Sequence, residues 1–336
     1  MINDLPQIDK SISLAQFTSL KVGGLAENFA VARNQDELVA LYLWAKQKEI
    51  SVFVLGGGTN VLISDDGIRG LVIKNEARGF VVGDKINSQT VTKRKKRNQQ
   101  THWRKGLLNW DDLSISQSTE GVAIEVQSGH RLPLLLSQTL QNKITGLELF
   151  AGIPGTVGGA VWNNIHGADW FIGDFLESVK ILNAEGSIIN IPREQLELEY
   201  NDSFFHRNNH LILSVKLNLF LGDTQKAQET ALEWIKRKAG QPKNSAGSTF
   251  SNLTEEQKQK AGLDNLSAGY VIDKVLNLRG YTVGGAKVSE SHANFIETKE
   301  GATAKDVLTI INYIKKLAQE RLGADLKEEI VLVGEF

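Results

Sequence analysis

The chain has 336 residues, 41% of them hydrophobic, enough for a sizeable core and for two or three domains. A formal charge of −1 argues against a general nucleic-acid binder, which needs a basic face against phosphates, so no nucleic-acid partner is expected. With no cysteine, the protein has no disulfide, no thiolate metal site, no cysteine nucleophile and no cysteine-linked cofactor.

The opening MINDLPQIDK scatters acids where a secretion signal needs basic residues and then an apolar run, and no later stretch matches a membrane-spanning helix. A cytoplasmic protein with no membrane partner is expected. Up to about residue 75 the chain alternates strand, helix and strand: NFAVA (28–32) reads extended, DELVALYLWAKQ (36–47) reads as a helix with acids in its first turn, and SVFVL (51–55) returns to strand. Between about 78 and 118 lies TKRKKRNQQTHWRK, with five consecutive basic residues at 93–97; a solvated hairpin extension is the expected structure, and no function is assigned to it. GVAIEVQSG (121–129) reads as strand and RLPLLLSQTLQNKI (131–144) as a helix with Pro133 in its first turn. SVKILNAEGSIINI (178–191) has the period-two pattern of a hairpin around Glu185 and Gly186, and HLILSVKLNLF (210–220) is another strand. After about residue 222 the composition shifts to a helix at AQETALEWIKRKAG (227–240), a polar loop with Ser248, and a short helix at GYVIDKVL (269–276). A helix over 304–322 puts Val307, Ile310, Ile311, Ile314 and Leu317 on one face, and a last strand, EEIVLV (328–333), begins at Glu328 and Glu329.

Two glycine-rich loops interrupt this pattern: VLGGGTN (54–60), with Gly56, Gly57, Gly58, Thr59 and Asn60, and AGIPGTVGGAVWNN (151–164), with Gly152, Gly155, Gly158 and Gly159 around Pro154. Glycine removes the Cβ that keeps a ligand from the backbone and permits positive φ, so successive N–H groups can converge on an anion; a ligand with two phosphates and a flat ring suits two such loops. The spacing is not that of a Rossmann dinucleotide site. In order, the chain carries TSLKVGG (18–24), LGGGTNVLISDDGIRG (55–70), LELFAGIPGTVGGAVWN (147–163), SAGSTF (245–250) and GGAKVSESHANFI (284–296). This set resembles the UDP-N-acetylenolpyruvoylglucosamine reductases, the flavoenzymes that finish UDP-N-acetylmuramate for peptidoglycan, over nearly the whole chain except about 78–122.

The resemblance implies an α+β architecture: a two-subdomain FAD-binding fold of the vanillyl-alcohol-oxidase type, at 1–75 and 76–222, and a C-terminal α+β substrate domain at 223–336. It implies non-covalent FAD, NADPH as hydride donor, a UDP-linked sugar as substrate and a monomer. The FAD contacts it implies are Gly56, Gly57, Gly58, Thr59, Asn60 and Val61 in the first loop, and Gly152, Ile153, Pro154, Gly155, Thr156, Gly158, Gly159, Ala160 and Asn163 in the second. Val288, His292 and Asn294 come toward the flavin from the last motif. Ser248, in the A-G-S-x-F segment, is the implied acid, and Glu329, in L-K-E-E-I where the family has L-E-P-E-[VI], the implied second catalytic group. Tyr200 and Asn252 are implied substrate contacts. The family pattern Y-R-x-S-x-F reads Y-N-D-S-F-F-H-R at 200–207, so Asn201 stands in the place of an arginine that stabilises enolate oxygens, with His206 and Arg207 as candidates to replace its charge. Ser251 likewise replaces a lysine. The short stretch between Phe220 and Ser245 resembles the branch without an additional substrate-closing loop. A flavoenzyme with another substrate, and a catalytically weakened FAD-binding or nucleotide-binding homologue, are the competing readings.

Overall fold

The structure is a computed structural model and describes residues 5–88, 115 and 118–336. The basic run at 93–97 and the expected hairpin tip lie outside the described residues. Two compact units divide the chain. The first comprises Met1–Gln7, Ala30–Gly57 and Ile73–Ala239, and the second Ile8–Phe29, Gly58–Val72 and Gly240–Phe336.

In chain order the main elements are β1 (Ile8–Ser13), β2 (Leu25–Ala32), α1 (Gln35–Gln47), β3 (Val52–Leu55), β4 (Val61–Ile63), β5 (Ile68–Asn75), β6 (Phe80–Asn87) and β7 (Glu120–Gln127). They continue with α2 (Leu132–Gln141), α3 (Val157–Trp162), β8 (Leu176–Leu182), β9 (Ile188–Pro192), β10 (Leu211–Leu221) and α4 (Thr224–Lys238). Last come β11 (Thr282–Val283), β12 (Ala286–Val288), β13 (Ile296–Thr298), α5 (Ala304–Leu322) and β14 (Val331–Val333). A four-stranded sheet has the order β1-β2-β5-β3, and the chain passes from one unit to the other inside β2 and β5.

The first unit is built on an antiparallel sheet in the order β9-β8-β10-β7-β6, with the short pair Ile144–Thr145 alongside β10. β10 is buried along nearly its whole length, its polar Ser214 and Asn218 included, whereas β6 on the edge is largely exposed. Leu135 of α2 and Val157 and Val161 of α3 join the sheet residues Val126, Val215 and Leu217 in one core. Trp170 stacks on Phe175 at 5.1 Å within it, and Phe220 meets Phe175 edge-on at 6.4 Å. The hairpin expected at Glu185 and Gly186 is present as β8 and β9, with Gly186 at φ +86°.

The core of the second unit lies under α5, whose Val307, Ile310, Ile311 and Ile314 are fully buried. Thr303 caps this helix in a reciprocal box with Asp306, and Gly323 ends it at φ +60°. Two local expectations are corrected. The stretch read as a short helix over 269–276 is one α-turn, Ala268–Tyr270, running into a π-helix, Val271–Val275. The last strand covers only Val331–Val333, where it pairs in parallel with β4; Glu328 and Glu329 precede it in a separate antiparallel contact. Among the described residues no helix is long and apolar enough to cross a membrane.

Candidate functional site

The residues expected at the site fall into two groups, one in each unit. In the first unit the two glycine loops meet backbone to backbone. A Cβ on Gly57 would lie 2.6 Å from Gly155 Cα, and one on Gly56 would lie 2.6 Å from Thr156 Oγ1. Gly155 itself sits at φ +117° and Gly152 at +76°, conformations that exclude most side chains. The second loop runs straight into α3, whose N-cap Thr156 accepts the Gly159 N–H at 3.4 Å. The first two amides of α3 are already used. Val157 donates to the His130 carbonyl at 2.9 Å and Gly158 to the Ser128 carbonyl at 2.8 Å, so these two amides hold the protein's own backbone rather than an anion. Ile153 packs on the core, Ala160 is buried, Pro154 is exposed, and Asn163 closes α3 with its N–H on the Gly159 carbonyl.

The segment carrying Tyr200 and Asn201 is fastened to this same helix. Ser203 Oγ donates to the Trp162 carbonyl at 2.6 Å, Asn164 Nδ2 donates to the Glu199 carbonyl at 2.6 Å, and the His206 ring stacks on Trp162 at 3.7 Å. Tyr200 lies 5.3 Å from the His166 ring. Asn201 has φ +50°, a left-handed position that asparagine occupies more readily than arginine. Neither candidate to replace the family arginine is a free cation: Arg207 pairs with both Asp202 and Glu197, and Asp202 also takes His206 Nδ1 at 3.2 Å. Burial holds the His206 imidazole below its ordinary range, against a smaller upward pull from Asp202.

In the second unit, chain segments far apart in sequence converge on Glu329. Its N–H donates to the Thr249 carbonyl at 2.9 Å, Ser251 N–H donates to the Lys327 carbonyl at 2.9 Å, and Phe250 and Glu328 face each other between these bonds. Ser248 is thus one residue from the carbonyl that holds Glu329. On the other side Asn60 Nδ2 donates to the Glu329 carbonyl at 3.0 Å, and Asn60's own carbonyl receives Val331 N–H at 3.0 Å. The end of the first glycine loop, the serine segment and the glutamate therefore form one bonded array, continued by Val61 in β4. Among the described residues the Glu328 N–H has no acceptor, so a residue without that N–H would serve the pairing equally well, and the family's proline is replaced here without disturbing it. Asn294 is buried and holds both the N–H and the carbonyl of Phe250, at 3.0 and 2.8 Å, which assigns it to the scaffold of this array. Asn252 Oδ1 accepts the Ala268 N–H at 3.1 Å, Val288 is buried in β12, and the exposed His292 packs its ring 4.6 Å from Phe295.

Comparison with known proteins decides what this arrangement belongs to. Residues 241–333 match the family model described as UDP-N-acetylenolpyruvoylglucosamine reductase, C-terminal domain, and residues 106–192 match an FAD binding domain. A UDP-N-acetylenolpyruvoylglucosamine reductase of Lachnoclostridium phytofermentans is 32% identical over 332 residues, covering 96% of this chain and 91% of its own. This chain belongs to the UDP-N-acetylenolpyruvoylglucosamine reductase family. A relative of the same name from Nostoc punctiforme is 33% identical, over 99% of this chain and 89% of its own. The crystal structure of the Thermus caldophilus reductase superposes with a TM-score of 0.71 at 26% identity, covering 98% of this chain and 100% of the other.

The residues present fit the FAD that this reductase family uses. Between Gly57 and Gly155 there is no side chain, the N–H groups of Gly57, Gly58 and Thr59 have no acceptor among the described residues, and Gly159 opens outward, with nothing nearer to its missing Cβ than Thr156 Oγ1 at 3.5 Å. Unpaired amides in the first loop and an open backbone surface at Gly159 are each a feature that a diphosphate or a flat ring requires. Sequence reasoning passed over three supports of these loops. Lys74 donates to the Gly56 carbonyl, and burial lowers its pKa. Lys238 donates to the Ala151 carbonyl at 3.1 Å and runs its stem past Gly152, and burial pushes it down to about 8. Ser128 and His130 receive the α3 amides through their carbonyls. Lys74, directly after the apolar run Leu71 to Ile73, was the one signal in the sequence; the others depend on which chain segments meet.

Proposed function

We propose that this protein reduces UDP-N-acetylglucosamine enolpyruvate to UDP-N-acetylmuramate in peptidoglycan synthesis, with non-covalent FAD and with NADPH as hydride donor. Family membership over 96% of the chain carries the reading, and the convergence of Ser248 and Glu329 on one array supports it.

FAD, when bound, supplies the hydride that it takes from NADPH. The substrate's double bond is conjugated to a carboxylate, so hydride addition at its terminal carbon leaves an enolate, and the other carbon then needs a proton. Ser248 gives that proton from its hydroxyl, which works because the enolate is a strong base and the hydroxyl is held beside it away from water. Glu329 is its proton partner. Asn201 donates to the enolate oxygens where relatives place a charge, and Tyr200 and Asn252 hold the substrate. The loop residues 56–61, 152–160 and 163 hold the flavin, joined by Val288 and His292. Functionally the chain divides into FAD-binding parts at 1–75 and 76–222 and a substrate part at 223–336, acting as a cytoplasmic monomer.

Burial holds the His206 imidazole below its ordinary range, and Arg207 is engaged by two carboxylates, so neither is expected to stand in for the charge lost at Asn201. The rate at which substrate reoxidises the reduced flavin is expected to stay level as pH rises through the ordinary histidine range near about 6.5. Stopped-flow absorbance measures it, and a fall centred on that range would identify His206 as the replacement cation. The function itself is tested by whether flavin bleached by NADPH regains its colour with the enolpyruvyl sugar.

A further inference from the structure

Helix α5 presents one cation to the catalytic array. Lys315 Nζ lies 2.7 Å from Glu328 Oε1, with the two side chains 34% and 23% exposed. Glu328 is the residue immediately before Glu329, and the backbone around it is extended, bonded to the serine segment on both sides through Lys327 and Glu329. Successive side chains of an extended segment leave on opposite faces. Fixing Glu328 against α5 therefore fixes the face on which Glu329 emerges.

Backbone bonds hold the segment at Lys327 and Glu329, and the ion pair adds a side-chain tether at the residue between them. The Glu329 N–H and carbonyl are held by Thr249 and Asn60, whereas the Glu328 N–H has no acceptor among the described residues, so the side-chain ion pair is a further constraint at that position. Among the described residues the neighbouring Lys316 makes only a long contact with Glu320, at 3.9 Å and largely exposed. We infer that the Lys315–Glu328 ion pair is a positioning device for Glu329, setting the direction of that carboxylate toward the reacting substrate. The inference rests on the proposed role of Glu329 in the reaction.

The test uses the full-length FAD-loaded protein and follows the two half-reactions separately. Lys315→Met keeps the stem and removes the charge. It is expected to leave flavin reduction by NADPH at the wild-type rate and to slow reoxidation by UDP-N-acetylglucosamine enolpyruvate about tenfold or more at saturating substrate, since misplacing a reacting group by about 1 Å can cost on the order of a hundredfold. Lys315→Arg, which keeps the charge, is expected to stay within about threefold of wild type, and Lys316→Met to change nothing. Wild-type reoxidation in Lys315→Met, even with a lowered melting temperature, would overturn the inference, and so would Lys315→Arg as slow as Lys315→Met. Glu329→Gln in the same assay separates the two claims. If it leaves reoxidation unchanged, the role of Glu329 is wrong; if it slows reoxidation and Lys315→Met does not, only the positioning claim is wrong.

Discussion

Ser248→Ala is expected to leave reduction of the flavin by NADPH within about twofold of wild type and to slow reoxidation by the enolpyruvyl sugar by roughly 10²–10⁴, the usual contribution of a positioned acid. In the proposed mechanism the Ser248 hydroxyl is called on only after hydride has reached the substrate, and an interaction made in the later transition state cannot slow the earlier step. Ser248 follows Gly247 at φ +80° and precedes Thr249, whose carbonyl and N–H are bonded to Glu329 and Asn294. Exchange of one hydroxyl for hydrogen leaves all of those backbone bonds in place, so the array keeps its shape. Stopped-flow measurement of each half-reaction checks this, and an equal loss in both would assign Ser248 to binding.

Gly57→Val is expected to abolish FAD retention. The new Cβ would fall 2.6 Å from Gly155 Cα, a contact with backbone that no rotamer relieves. The two loops must part, and overpacking of this kind costs about 1–3 kcal/mol before the branched methyls are added. Gly158→Val meets Ser128 Cβ at 2.8 Å and displaces the start of α3, with the same expected loss. The space thus excluded is filled by the protein's own backbone, not by ligand. Gly159→Ala is the informative contrast, because its Cβ meets only Thr156 Oγ1 at 3.5 Å, and any loss of flavin there reports on contact with the cofactor itself. The flavin absorbance per protein after gel filtration measures all three, and a full yellow complement in Gly57→Val would refute the placement of the loops.

The sequence was readable where local chemistry dictates structure. Helix α5 announces itself through the five apolar residues that all prove buried, and β10 through an apolar start followed by alternation at Ser214, Lys216 and Asn218. The glycine loops were recognisable as unusual, but their spacing says nothing of which loop meets which, so the contact of Gly57 with Gly155 and the spent amides of Val157 and Gly158 were invisible. The same holds for Asn60 and Glu329, bonded although 269 positions apart. Motif resemblance named both residues; only the fold shows that they hold one another. At Asn201 the sequence displayed the loss of a charge, and the acids that neutralise its nearest substitutes, Asp202 and Glu197, were plain in the sequence but not their pairing with Arg207.

The most direct test is a double-mixing absorbance experiment without air on the FAD-loaded wild-type protein, bleached first with NADPH and then mixed with UDP-N-acetylglucosamine enolpyruvate. The flavin absorbance should disappear in the first step and return in the second, in proportion to UDP-N-acetylmuramate formed. A flavin that NADPH does not bleach, or that stays colourless after the sugar nucleotide is added, would contradict the assignment.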